Sequence, residues 1–441
     1  MRSYGVGLSP VSPLKRSWIV WIAICVMAVM ASALYWHISE PGRGALLIDF
    51  QKAYYAAGKA VLNNDPAALG ALIADATFVN IPIVAWLFSP LALLGPHGAK
   101  LTFSILGLLA AGCASWLIAQ RCRPNTRPII FALFILNGPL WYSILIGNTT
   151  HFILLFMIVA LLSLENNHPY RSGLLIGFSA IVKPMILLFG LYFLWRRNWR
   201  VVLGGATVAG GALLSSIGVF GLGFTLDWYR HMAAFAGNPM GAYNVQSLDA
   251  FILRLWSGAT LARDWHAQAL PFSAKIIRNI LVGTLFILAA LAVWRTRPTQ
   301  ECGDFKPVTG SDYLHYSLMI VLCVTVSTVS WTHYYLLMLL PWTLYISGRL
   351  PLIDDRLTHG LVWGSIVLCS IPVSFPQLEP EWLASLYSRS LASVWFFGGL
   401  LLFWAFLRSA LIRSSETLTP WLPEIFVANA PSALEGAGRK A

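Results

Sequence analysis

Charge is what this sequence has least of: 11% of its 441 residues are Asp, Glu, Lys or Arg, whereas 57% are apolar. A soluble domain carries about 25% charged residues, so the deficit excludes a string of soluble domains. The mean hydropathy of +0.68 excludes a disordered chain. Acid is scarcer still, with 18 Asp and Glu against 30 Lys and Arg. The basic residues are scattered and form no basic domain, so nucleic acid is not an expected partner. Cysteines number 6. Cys25, Cys113, Cys323 and Cys369 fall in apolar runs, Cys122 and Cys302 in segments expected to be cytoplasmic loops, and none has metal-ligand spacing. Neither disulfides nor a metal or other cofactor is expected, and no heptad or fixed-period repeat is visible. The class left standing is an integral membrane protein.

What the chain does have is long apolar runs. A spanning helix needs about 20 mostly apolar residues, and the first such run is Ser17–Ile38, read as a retained span and not a cleaved signal. Others cover Leu101–Ala119, Pro128–Ile146, His151–Leu164, Val201–Leu222, Ile276–Trp294, Tyr313–Ser330, Tyr334–Ser347, Leu357–Phe375 and Leu391–Ile412. Ile81–Gly95 is short and broken by Pro82 and Pro90, which reads as re-entrant or interfacial. Gly173–Trp195 carries Lys183-Pro184 at its midpoint, which reads as a hairpin of two short helices.

Cytoplasmic loops are enriched in Lys and Arg. With those two readings, the clusters Lys15/Arg16, Arg121/Arg123/Arg127, Arg171, Arg196/Arg197/Arg200, Arg295/Arg297/Lys306, Arg349/Arg356 and Arg408/Arg413 all fall on one side. The expectation is an all-α polytopic membrane protein of about twelve helical segments, with both termini cytoplasmic. Residues 1–414 form the transmembrane domain, with long outer loops at 39–80 and 223–275, and residues 415–441 a cytoplasmic tail.

On that plan the polar residues converge on the outer face. Asp49 and Tyr54 lie in the first outer loop, Asn148 and His151 in a tip reading Gly147-Asn148-Thr149-Thr150-His151, and Lys183 at the hairpin turn. The second long loop brings Arg230, Asn244, Gln246 and Arg254, and a further tip reads Ser330-Trp331-Thr332-His333-Tyr334. Each has a plain alternative as an interfacial anchor or a member of an aromatic belt. Together, a carboxylate, several cations, histidines and amides suit a ligand with a phosphate and hydroxyls at the lipid boundary. A secondary transporter or a flippase for a lipid-linked sugar shares this many-helix plan. It would place coupling residues near the bilayer midplane and often show two related halves, neither of which is evident.

These residues resemble those of glycosyltransferase family 87, the polyprenol-phosphate-mannose-dependent mannosyltransferases of GT-C fold. The matching pieces run in family order from about residue 45 to residue 345. They are Asp49-Phe50 leading to Tyr54-Tyr55-Ala56-Ala57, then Phe78 to Pro82 and Phe88-Ser89-Pro90-Leu91-Ala92, and Gly147-Asn148. They continue with Gly173-Leu174-Leu175-Ile176-Gly177 leading to Val182-Lys183-Pro184, then Arg196-Arg197-Asn198-Trp199-Arg200. Asn244-Val245-Gln246-Ser247-Leu248 with Arg254 and Ser330-Trp331-Thr332-His333 complete the set.

The resemblance implies an inverting, metal-independent transferase in a plasma (inner) membrane. It would move a sugar, mannose first among candidates, from a polyprenyl-phosphate donor to a glycolipid or glycan acceptor on the extracytoplasmic face. Asp49 is the matching general base. Lys183, His333 and Arg254 are expected on the donor phosphate. Tyr54, Asn148, His151, Asn244, Gln246 and Trp331 are expected to line the substrates.

Overall fold

Proline, glycine and asparagine punctuate the apolar runs, and the helices break where they fall. The computed structural model describes residues 46–296, 308–370, 373 and 376–412. The expected span Ser17–Ile38 and the tail 415–441 lie outside the described residues. Among them every regular element is helical, and one isolated antiparallel bridge joins Val245 to Trp331. In chain order the α-helices are α1 (Ala56–Leu62), α2 (Pro66–Ala74), α3 (Ser89–Ala92), α4 (Gly95–Gln120), α5 (Arg127–Ile135), α6 (Gly138–Ile146), α7 (Thr150–Glu165), α8 (Pro169–Val182) and α9 (Leu187–Trp195). Then follow α10 (Trp199–Phe220), α11 (Leu222–Gly237), α12 (Leu248–Ser257), α13 (Phe272–Arg295), α14 (Gly310–Val326), α15 (Leu339–Ile346), α16 (Arg356–Leu368), α17 (Glu381–Arg389) and α18 (Val394–Ile412).

Four stretches among the described residues are long and apolar enough to cross a membrane: α4, α10, α13 and the continuous Glu381–Ile412. The pair Pro124–Ile135 and Gly138–Ile146, bent by 45°, makes a fifth if it is one span. This is a coarser result than twelve crossing segments. Several predicted spans are shortened by polar breaks: Pro128–Ile146 is cut at Asn137, whose side chain caps α6 by accepting from Leu140 N at 2.8 Å. Tyr334–Ser347 begins not as an α-helix but as the 3-10 turn Thr332–Met338. The segment 223–275, expected as a long outer loop, is more than half helical, because α11, α12 and the start of α13 occupy it. Ile81–Gly95 is a 3-10 turn, Pro82–Leu87, followed by the four residues of α3, too short to cross.

The hairpin at Lys183 follows from packing. Gly173 lies against Val201 and Gly204, and Gly177 against Gly205 and Val208. Residue numbers therefore rise together, α8 and α10 run parallel, and the nine-residue α9 between them must carry the chain back. A Cβ on Gly173 would stand 2.1 Å from the Val201 carbonyl oxygen, so only glycine permits this approach.

The bundle has two chemically distinct ends. At one, Arg349 bonds Glu165 at 3.0 Å and the Arg121 carbonyl at 2.9 Å, Tyr313 donates to Glu165 at 2.8 Å, and Arg196 pairs with Asp312 at 3.5 Å. Three of the basic clusters predicted to share a side thus meet there. Helices α7 and α14 run from this end to the other, about 24 Å away at 1.5 Å per residue. Their far ends carry Asn148 and His333.

Candidate functional site

The far corner is built around Asn148. Gly147 ends α6 in the left-handed region at φ +74, and a Cβ there would meet Phe50 Cβ at 2.6 Å, so glycine is required twice over. This turn drops Asn148 into the bundle, where its amide has both ends engaged. Its Nδ2 donates to Asp49 Oδ2 at 2.9 Å; its Oδ1 accepts from Lys183 Nζ at 3.0 Å and from Thr150 Oγ1 at 2.8 Å. One amide therefore bridges the carboxylate and the ammonium. Asp49 enters from a π-helical turn, Phe50–Tyr55, anchored by the stack of Phe50 on Phe103 at 4.4 Å and by the Leu47 N–H on the Leu145 carbonyl. Asp49 as a residue is half-buried.

Lys183 is buried in the extended break after α8. Besides Asn148 it donates to Tyr334 Oη at 3.4 Å, and its ammonium stands 4.4 Å from the centre of the Tyr334 ring. A cation so placed is held by a hydrogen bond and a cation–π contact. Beside it His333 is buried, and neither ring nitrogen has a hydrogen-bond partner. Its ring lies parallel to Trp331 within 9° at 6.5 Å and 6.1 Å from Tyr142. Buried polar atoms are seldom left unsatisfied, and His333 leaves two ring nitrogens without a partner among the described residues.

The other expected site residues separate into two groups. Tyr54 donates to or accepts from Thr149 Oγ1 at 3.2 Å, with its ring stacked on Phe88. His151 pairs through Nδ1 with Ser143 Oγ at 3.1 Å and abuts Gly107, behind Phe103. Asn244 accepts from Trp265 Nε1 at 3.0 Å and its side chain also hydrogen-bonds Tyr142. These line the corner.

Arg254 and Gln246 do something else. The Arg254 guanidinium is fully buried and donates to the carbonyls of Gly241, Ala242 and Val245 and to Ser393 Oγ. Gln246 donates to the Tyr243 and Ala392 carbonyls and accepts from the N–H groups of Trp395 and Phe396, capping α18. Arg254, expected on the phosphate, and Gln246, expected on the substrates, thus have their polar atoms engaged in internal bonds. Their effect is to staple residues 241–246 to the turn Leu391–Ser393 and the start of α18. That staple holds the tip: Gln246 N–H bonds the Ser330 carbonyl, and Thr332 N–H bonds the Asn244 carbonyl.

Arg254→Met should therefore destabilise the protein by ~3 kcal/mol or more, because several buried acceptors lose their donor. Thermal unfolding in detergent reads this. Wild-type thermal stability in Arg254→Met would overturn the staple.

Sequence reasoning missed Tyr142 and gave Tyr334 no role, although Tyr334 directly follows His333.

With this corner in view, comparison with known proteins places the chain among the glycosyltransferases. It belongs to glycosyltransferase family 87, whose model matches residues 78–311, more than half of the chain. The match includes Asn148 and Lys183, while Asp49 and His333 flank it. A polyprenol-phosphate-mannose-dependent alpha-(1-2)-phosphatidylinositol pentamannoside mannosyltransferase of Mycolicibacterium smegmatis is 25% identical over 370 residues, 80% of this chain and 82% of the relative. A polyprenol-phosphate-mannose-dependent alpha-(1-2)-phosphatidylinositol mannoside mannosyltransferase of Mycobacterium tuberculosis is 25% identical over 307 residues, 64% of either chain. No solved structure matches the chain.

Proposed function

We propose that this glycosyltransferase moves a mannosyl group from a polyprenyl-phosphate donor to a hydroxyl of a glycolipid acceptor, with inversion and without a metal. The observation that carries the reading is the Asn148 bridge, which holds a carboxylate and a buried ammonium side by side next to an unpartnered histidine. The relatives' names supply the donor class and the kind of acceptor.

In the proposed step the acceptor oxygen attacks the anomeric carbon as Asp49 takes its proton, and the bond from that carbon to the phosphate oxygen breaks. Polyprenyl phosphate leaves with the bonding electrons. A general base of this kind contributes through proton transfer in the transition state, and Asp49 is held in place for it by Asn148. Charge grows on the departing phosphate, and preorganised donors facing it lower the barrier. Lys183 supplies a cation, and a neutral His333 supplies an N–H. Tyr54, Asn244, Trp331 and His151 shape the surrounding walls. Inversion means that an α-linked product comes from a β-linked donor.

The reading places the corner at the extracytoplasmic face of an inner membrane, because Arg121, Arg196 and Arg349 gather at the opposite end and positive residues favour the cytoplasm. Purified protein in detergent, given polyprenyl-phosphate mannose and a phosphatidylinositol mannoside, should form an α-linked product. A carrier would form none without a sealed compartment, and product with retained anomeric configuration would overturn the single-displacement step.

A further inference from the structure

The break that frees Lys183 also strands part of the helix before it. The last carbonyls of any helix lack backbone partners, and here Pro184 has no N–H to give Ala180. The Lys183 N–H reaches back to Ser179 O at 2.7 Å, and the next turn closes only from Ile186 onto the Lys183 carbonyl. The Ile181 and Val182 carbonyls therefore need donors from elsewhere. Asn80 provides them. Its Nδ2 donates to Val182 O at 2.7 Å and to Ile181 O at 3.4 Å, from a side chain 2% exposed.

Asn80 is itself firmly held. It belongs to the strap between α2 and α3, which is tied on one side by Trp228 Nε1 donating to the Val79 carbonyl. On the other, the Ile83 N–H donates to Ser216 Oγ at 3.1 Å. The strap thus joins the outer helices α10 and α11 to the end of α8, one residue from the lysine. Lys183 leaves that end with extended backbone, φ −130 and ψ 92, so the orientation of the Val182 peptide sets where its side chain goes.

We propose that Asn80 is a positioning residue for the donor. By fixing the Val182 carbonyl it aims Lys183 at Asn148 and Tyr334, and so at the donor phosphate. This rests on the phosphate role given to Lys183 above. Asn80 touches neither substrate; its influence passes through one peptide.

A double-mutant cycle on the purified full-length chain tests it, with donor Kd, donor KM, acceptor KM and kcat measured for wild type, Asn80→Leu, Lys183→Ala and the pair. Asn80→Leu should weaken donor binding by about tenfold, the loss expected when a buried acceptor is stripped of its donor. Acceptor KM should not change. In the Lys183→Ala background the same change should add nothing to the donor defect, because coupled residues are non-additive. Equal multiplicative losses in both backgrounds, or an unchanged donor Kd in Asn80→Leu, would overturn the proposal and leave Asn80 a structural residue.

If Asn80→Leu fails to fold, Asn80→Ala removes the donating amide with less crowding and completes the same cycle. A Lys183→Ala variant with wild-type donor affinity would overturn the phosphate role and this inference together. A Lys183 effect without an Asn80 effect overturns the inference alone.

Discussion

Asp49→Asn should lower the rate of transfer by about 10²–10⁴-fold, the range over which a positioned general base acts. The change keeps the volume of the side chain and an oxygen that can still accept from Asn148 Nδ2, now at 2.9 Å from the carboxylate. Expression, membrane insertion and donor affinity should therefore persist. What is lost is the ability to take a proton from the acceptor hydroxyl. Single-turnover kinetics with bound donor separates this from a binding defect, because the chemical step alone should slow. A folded Asp49→Asn protein with wild-type single-turnover rate would remove Asp49 from the reaction.

Lys183→Ala should act at the other reactant. A hydrogen bond to a charged group contributes about 1.5–3 kcal/mol, which is roughly 10- to 150-fold in donor affinity. The alanine variant removes the cation bonded to Asn148, while Thr150 continues to hold the Asn148 oxygen and keeps the amide in place. The loss should fall on the donor and spare the acceptor. It should also reduce kcat, since the phosphate becomes more negative as it departs. Donor Kd from direct binding and kcat from initial rates read the two effects apart. An acceptor-selective loss would place Lys183 on the wrong substrate.

These two residues were legible before the fold because their sequence context is chemically awkward. A lysine followed by proline within an apolar run must end a helix and find a partner, and the carboxylate in the first outer segment stands in a resembling motif. The pairing of α8 with α10 was foreshadowed by Gly173 and Gly177, four residues apart on one helix face. The burial of Arg254 and Gln246 was not foreseeable. Sequence shows a polar residue, but not whether it turns toward a ligand or toward stranded carbonyls of its own chain. Asn137 was hidden by the apolar residues around it, since hydropathy over a long run is blind to one capping amide. Tyr142 and Asn80 carry no sequence signal for their partners, which lie far along the chain.

Helix α7 joins the two ends of the bundle in 16 residues, Thr150–Glu165. Whatever its tilt, it separates them by no more than about 24 Å, less than the ~30 Å of hydrocarbon in a typical bilayer. On the proposed topology, with the arginine-rich end among the inner headgroups, the corner would sit several ångströms beneath the outer water boundary. A water-soluble sugar nucleotide would have to shed its hydration to descend there, whereas a sugar carried on an isoprenoid tail reaches that depth by lateral diffusion. On that topology the short helix would select for a substrate that already lives in the membrane.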